Sequence, residues 1–394
     1  MINILFVDDE PNILDGLQRM LRSMRREWQM FFARNGFEAL EMLKEKKIDV
    51  IVSDMKMPGM DGAKLLHEVR TLYPNTVRII LSGYSEKEMI MKSITTAHQY
   101  LAKPCDSDIL KLTVSRACAL RDLLLDEKLR SLVSQMRTVP SLPTLYSDLV
   151  SELNNDEPSM RHIAEIVKKD IGMTVKVLQI VNSAFFGLRR NITNAHEALD
   201  FLGLETIMSL TLGIGVFSQF EKQTVNPDLL THLWEHSIKV GKMAQAIAEA
   251  ENPKVANDAF TAGILHDIGE VVLAFNLPEQ FRQAQELVTH ENMTRQQAEK
   301  IVFEATHSEV GAYLLGLWGL PNQVVEAIAF HHSPSAIEPN MFSPLTAVHI
   351  ANAFERYGKR MILDNPDSII DTNYLRKLNL TEKLPEWLEI CANA

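Results

Sequence analysis

Five short apolar runs separated by helical segments occupy the first 122 residues, and after residue 138 that alternation stops. "INILFV", "QMFFAR", "IDVIVSD", "VRIILS" and "QYLAKP" read as strands. Between them, "NILDGLQRMLRSM", "GFEALEMLKEK", "AKLLHEVRTLY" and "SEKEMIMKSI" carry helical spacing. Strands that alternate with helices bury both faces of a parallel sheet, so this part predicts an α/β doubly wound, five-stranded sheet. The rest of the chain has no competing strand pattern and predicts an all-α domain. The expected divisions are 1–122, a helical linker at 123–137, and 138–394.

In a doubly wound sheet the working site lies at the carboxyl ends of the strands. Asp8 and Asp9 end the first run and Asp54 the third, with Ser82 and Lys103 at the ends of the fourth and fifth. Converging carboxylates repel one another, and a hard cation such as Mg²⁺ relieves that repulsion. Asp54 is placed to attack a phosphoryl group as a nucleophile. Ser82 could donate to a phosphoryl oxygen, and Lys103 could neutralise another. The Lys103–Pro104 bond could be cis.

These residues resemble the receiver domain of two-component response regulators: "FVDDE", "IVSDMKMPGMDG", "IILSG" and "QYLAKP" stand in that family's order. The resemblance implies a flavodoxin-like fold and Asp54 as phosphoacceptor. It implies Mg²⁺ on Asp9, Asp54 and the Lys56 carbonyl, with Asp8 acting through water. Ser82, Lys103 and Tyr100 become the switch residues, and a cognate histidine kinase the partner.

Residues 108–136 contain neither Gly nor Pro and read as one long helix or two abutting helices. Their partial apolar stripe suits either a homodimer seam or packing on the next domain. In the second part, His236, His266, Asp267, His307, His331 and His332 are spread over separate helical segments. Imidazole and carboxylate together suit Zn, Fe, Mn or Ni. Such an ion can generate hydroxide for attack on a phosphoester. His232 lies one turn before His236, where it could add a ligand. In "NSAFFG", Asn182 and Ser183 can end a helix, leaving Phe185 and Phe186 as core or partner-binding anchors.

"LHDIG" resembles the HD superfamily of metal-dependent phosphohydrolases. "VPSLPTL", "IVNSAFFG", "AHEALDFLGLETI" and "GILHDIGEVVL" narrow the resemblance to the HDOD branch, the HD-related output domains. That branch implies a signalling output that need not catalyse. The sequence departs from active phosphodiesterases in three places. Asn352 stands where a late Asp ligand is expected. Glu270 replaces a Lys and reverses the charge that a phosphodiester would meet. "HHSPSAIEPN" lacks the Gly-Tyr-Pro segment. The function expected is a phosphorylation-switched output acting through an unknown downstream protein. A receiver-gated phosphohydrolase is the alternative.

The formal charge of −11 disfavours unspecific attraction to nucleic acid or anionic lipid. No helix-turn-helix is evident, so no direct nucleic-acid binding is expected. No apolar stretch reaches a membrane span and "MINILFVDDE" is not a signal peptide, so neither membrane nor secretion is expected. Three scattered cysteines suggest no disulfide framework, and a cytoplasmic setting fits.

Overall fold

A computed structural model describes residues 1–82, 97–121, 124, 126–136, 143–155, 157–182, 192–208, 227–291, 293–338 and 341–394. Strands β1 (Ile2–Val7), β2 (Trp28–Ala33), β3 (Val50–Asp54), β4 (Val77–Ser82) and β5 (Gln99–Ala102) form one parallel sheet in the order β2-β1-β3-β4-β5. This is the doubly wound sheet that the alternating pattern predicts. Helices α1 (Pro11–Met20), α2 (Gly36–Glu45) and α3 (Gly62–Leu72) connect its strands. Asn35 and Asp61 start α2 and α3 by accepting from the backbone N–H groups of Glu38 and Lys64. The central strands β3 and β4 are buried along their whole length, as continuous apolar runs require in a two-faced sheet.

The 108–136 segment resolves into two helices, α4 (Ser107–Arg121) and α5 (Glu127–Gln135), the second capped by Asp126. The helical part continues with α6 (Pro143–Leu153), α7 (Met160–Lys168), α8 (Ile171–Val181), α9 (Ala195–Leu202), α10 (Leu204–Met208) and α11 (Pro227–Glu251). It then runs through α12 (Ala256–Leu265), α13 (Ile268–Asn276), α14 (Pro278–Glu291), α15 (Arg295–Phe303), α16 (His307–Leu317), α17 (Asn322–Phe330) and α18 (Pro344–Asp364). The chain closes on α19 (Pro366–Ile369), α20 (Thr372–Lys377) and α21 (Leu384–Asn393). In "NSAFFG", Asn182 closes α8, its amide bridging to the Ile192 backbone. Ser183, Phe185 and Phe186 lie outside the described residues.

The sheet and the helical part share buried apolar contacts. One cluster runs from Ile4 and Phe6 on β1 through Leu110, Val114 and Ala117 on α4 to Val310, Leu314 and Trp318 in and beside α16. Leu124, Leu129 and Val133 belong to it too, so these residues of the apolar stripe of 108–136 pack inside the chain; Ile109 and Leu112 stay exposed. Polar contacts reinforce the junction. Gln99 Nε2 donates to the Gly316 carbonyl at 3.3 Å, and the Arg116 guanidinium donates to the Leu320 carbonyl. Buried Arg78 donates to the Thr76 carbonyl at 3.1 Å and to the Ser134 carbonyl at 2.7 Å, which fastens α5 to the start of β4. Among the described residues no single helix is long and apolar enough to cross a membrane.

Candidate functional site

At the carboxyl end of the sheet, the Lys103 ammonium pairs with Asp8 at 2.7 Å and with Asp54. The backbone N–H of Lys56 donates to Asp54 Oδ2 at 2.8 Å, and Lys103 N–H donates to the Ser82 carbonyl at 2.7 Å. Four strand ends thus meet at one point, as the sequence predicts. Burial raises the Asp54 carboxyl above its ordinary value against the opposing pull of Lys103. Asp8, Asp54 and Ser82 are buried and Asp9 is half-buried. The Lys103–Pro104 bond is cis. Tyr100 is 7% exposed and belongs to the sheet's core with Val7 and Ile80. Side chains alternate along a strand, so its neighbour Gln99 points the other way, to α16.

The helical part brings His236, His266, Asp267, His307, His331 and His332 together. His236 comes from α11. His266 and Asp267 form the turn between α12 and α13, and His331 and His332 follow α17. His307 opens α16, whose start is fixed by a capping box: Thr306 and Glu309 each bond the other's backbone N–H. Asp267 is the hub. Its Oδ2 lies 3.2 Å from His266 Nε2 and 3.6 Å from His236 Nε2. Its Oδ1 lies 3.3 Å from His307 Nε2 and 3.6 Å from His331 Nε2. His332 Nε2 is 3.2 Å from His307 Nε2.

The opposite ring nitrogens are held from outside. His266 Nδ1 donates to the Gly263 carbonyl at 2.7 Å, and His331 Nδ1 to the Ile328 carbonyl at 2.8 Å. Glu355 engages His236 Nδ1 at 2.5 Å, and Glu299 engages His307 Nδ1 at 2.8 Å. With Nδ1–H committed outward, neutral imidazoles turn Nε2 lone pairs inward, which is how ligand histidines are oriented. Burial pushes His331 down to about 3 and lowers His236, so both are neutral. Burial also acts on His307, but the carboxylates of Glu299 and Asp267 outweigh it and pull that imidazole up to about 10, so a cation bound there would have to displace its Nε2 proton. Burial opposes ionisation of Asp267, yet the imidazoles, His266 foremost, hold it well below the usual carboxylate range. Two buried atoms, Asp267 Oδ1 and His331 Nε2, make no hydrogen bond. A cation would satisfy both. Three sets of donor atoms, each within 4.8 Å of one another, could hold one: Asp267 with His307, His331 and His332, Asp267 with His236 and His266, and Glu270 with Glu299 and His307.

One expectation, that of Glu270, needs correction, and the two doubtful ligands His232 and Asn352 can be placed. His232 is exposed and outside all three sets. Glu270 does not present its charge to a substrate: it is fully buried and paired with the Arg295 guanidinium. Asn352 is buried at the site, but its Oδ1 accepts from Arg356 Nε at 3.0 Å. Sequence reasoning missed Glu299, Glu355 and Arg356. Arg356 had a signal: it lies four residues after Asn352, on the same helical face.

The response regulator receiver domain family matches residues 4–115, and the HDOD domain family matches residues 139–334. An uncharacterized protein of Treponema pallidum (strain Nichols) is 27% identical over 230 residues, 58% of this chain and 44% of that protein. The transcriptional regulatory protein ZraR of Klebsiella oxytoca is 36% identical over 119 residues, 30% of this chain and 26% of that protein. The chain thus spans less than half the length of either relative. A crystal structure of an HDOD domain protein with unknown function from Geobacter sulfurreducens is 24% identical, covers 72% of this chain and 97% of its own, and has a TM-score of 0.37. The two family matches lie on the two parts of the fold described above, and the chain accordingly joins an N-terminal response regulator receiver domain to a C-terminal HDOD domain.

Proposed function

We propose that Asp54 accepts a phosphoryl group from a histidine kinase and that the receiver passes the change to α16 of the HDOD domain. An Asp54 oxygen attacks phosphorus and the phosphohistidine N–P bond breaks, leaving an acyl phosphate and a free imidazole. Lys103 then exchanges its pairing with Asp54 for a phosphoryl oxygen. Asp8, Asp9, Asp54 and the Lys56 carbonyl would hold Mg²⁺, which when bound offsets the charge of the transferring group. The observation that carries the proposal is the placement of Gln99, beside switch residue Tyr100 and bonded to Gly316, on the helix that begins with His307. The output is contact with a downstream protein, governed by the state of α16.

The test is hydrogen exchange on the full chain with and without beryllofluoride, an acyl-phosphate mimic. Wild type should change its exchange in residues 307–320, and Asp54→Asn should not. An unchanged α16 in wild type overturns the route.

The donor set of the HDOD cluster also supports a resident divalent cation on Asp267, His307, His331 and His332. When bound, such an ion lowers the pKa of its water. A second reading, phosphoester hydrolysis, is favoured by a groove of about 620 Å³ lined by His332, Lys300 and Ser308. The buried Ser308 hydroxyl has no hydrogen-bond partner there. Phosphodiester and nucleotide assays on metal-loaded protein test it, and absence of turnover with both rejects it.

A further inference from the structure

The two oxygens of Asp267 face two different environments. On the Oδ1 side, Oδ1 and His331 Nε2 are buried without a hydrogen bond, while His307 and His332 complete the surround. On the Oδ2 side, His236 and His266 bring their Nε2 atoms within 3.2 Å of each other. There a cation is already in place. Arg356 Nη2 donates to Asp267 Oδ2 at 3.1 Å, and Arg356 Nε donates to Asn352 Oδ1 at 3.0 Å. The guanidinium spans the Asp267 and Asn352 side-chain oxygens on that side, beside His236 and His266. Its side chain is 28% exposed, so it reaches the buried carboxylate from the rim.

The neutral amide of Asn352 fits this arrangement. A carboxylate at 352 would favour a divalent ion, whereas a neutral amide oxygen accepts from the guanidinium and leaves Asp267 to balance its single charge. Helix geometry sets the pair, since residues four apart share a face. Gly358, at φ 74° and ψ 161°, interrupts the helix two residues after Arg356, in a conformation that only glycine adopts readily.

We infer that this chain holds one exchangeable divalent cation, on Asp267, His307, His331 and His332, and that the Arg356 guanidinium permanently occupies the place of a second on Asp267, His236 and His266. This inference rests on the metal reading above. A two-ion site clamps both the attacking and the leaving oxygen of a phosphoester. A single ion beside a fixed guanidinium would retain positive charge for binding an anion but would lack the second metal of that clamp.

The test is Mn²⁺ titration of the full chain, stripped of metal and purified without an affinity-tag metal, followed by calorimetry and by electron paramagnetic resonance. Wild type should bind one equivalent and show the six-line spectrum of an isolated ion. Arg356→Ala should bind two, with the broadened spectrum of ions coupled through a shared carboxylate. Should Arg356→Ala fail to fold, Asn352→Asp/Arg356→Gln supplies the same opening with its charge balanced. His236→Ala should keep the single equivalent, and His332→Ala should weaken it at least tenfold. No binding by wild type defeats the metal reading itself. Two equivalents in wild type, or one in both wild type and the opened variants, overturns the role of Arg356 while leaving the metal reading intact.

Discussion

At the residue scale, the least usual side chain outside the sites is Lys176. It sits on α8, where every residue is buried, with its ammonium 2.9 Å from Gln179 Oε1. Burial lowers its pKa to about 7. Since the unfolded chain then binds more protons between about pH 7 and pH 10.5, stability should rise as pH increases across that window. The contribution approaches about 1.4 kcal/mol per pH unit. Lys176→Met should remove this slope and raise stability at pH 6, as read by urea melts of both proteins at several pH values. Equal slopes would show that burial does not depress the Lys176 ammonium as described. A second residue-scale expectation concerns Glu299, which holds both the backbone N–H and Nδ1 of His307. Glu299→Gln removes the carboxylate that orients a ligand histidine, so Mn²⁺ affinity should fall about 10–100-fold. Calorimetry on the full chain decides this.

At the element scale, α13 and α16 cross at Gly269. A Cβ there would lie 1.9 Å from the His307 carbonyl oxygen and 2.9 Å from the Gly311 nitrogen. Those atoms are backbone and cannot swing aside. Gly269→Ala should therefore cost on the order of 1–3 kcal/mol and separate Asp267 from His307. A lowered melting temperature together with lost Mn²⁺ binding would be the signature; retained binding at wild-type stability would contradict it. Sequence legibility also divides by element. The sheet and the acidic cluster at its carboxyl end were readable because strand periodicity and terminal acids are local signals. The histidines were readable as residue types, but their convergence depends on five helices crossing, which no spacing encodes. Glu270 was misread because its partner Arg295 lies on another helix, and Glu299 and Glu355 escaped notice because carboxylates on helices are ordinarily solvated.

At the scale of the whole molecule, receiver and output meet along α4, β5 and α16. If Gln99 and Arg116 transmit the signal, then Gln99→Ala/Arg116→Ala should accept beryllofluoride as wild type does, while exchange in residues 307–320 no longer responds. Mg²⁺-dependent binding of the mimic, followed by tryptophan fluorescence, provides the control. A response that persists in the double variant would move the route to α5, where Arg78 and Ser134 join the two parts.

The buried cluster that runs from β1 through α4 into α16 bears on how such chains are assembled over evolution. Two recognisable modules are usually imagined as exchangeable cassettes joined by a tether. Here the seam is a shared interior, so a foreign receiver would have to match the shape of α16 as well as bring its own phosphorylation chemistry. Recombination at residues 122–138 should yield insoluble hybrids more often than new switches. A workable hybrid would then need α16 reshaped to fit the incoming receiver.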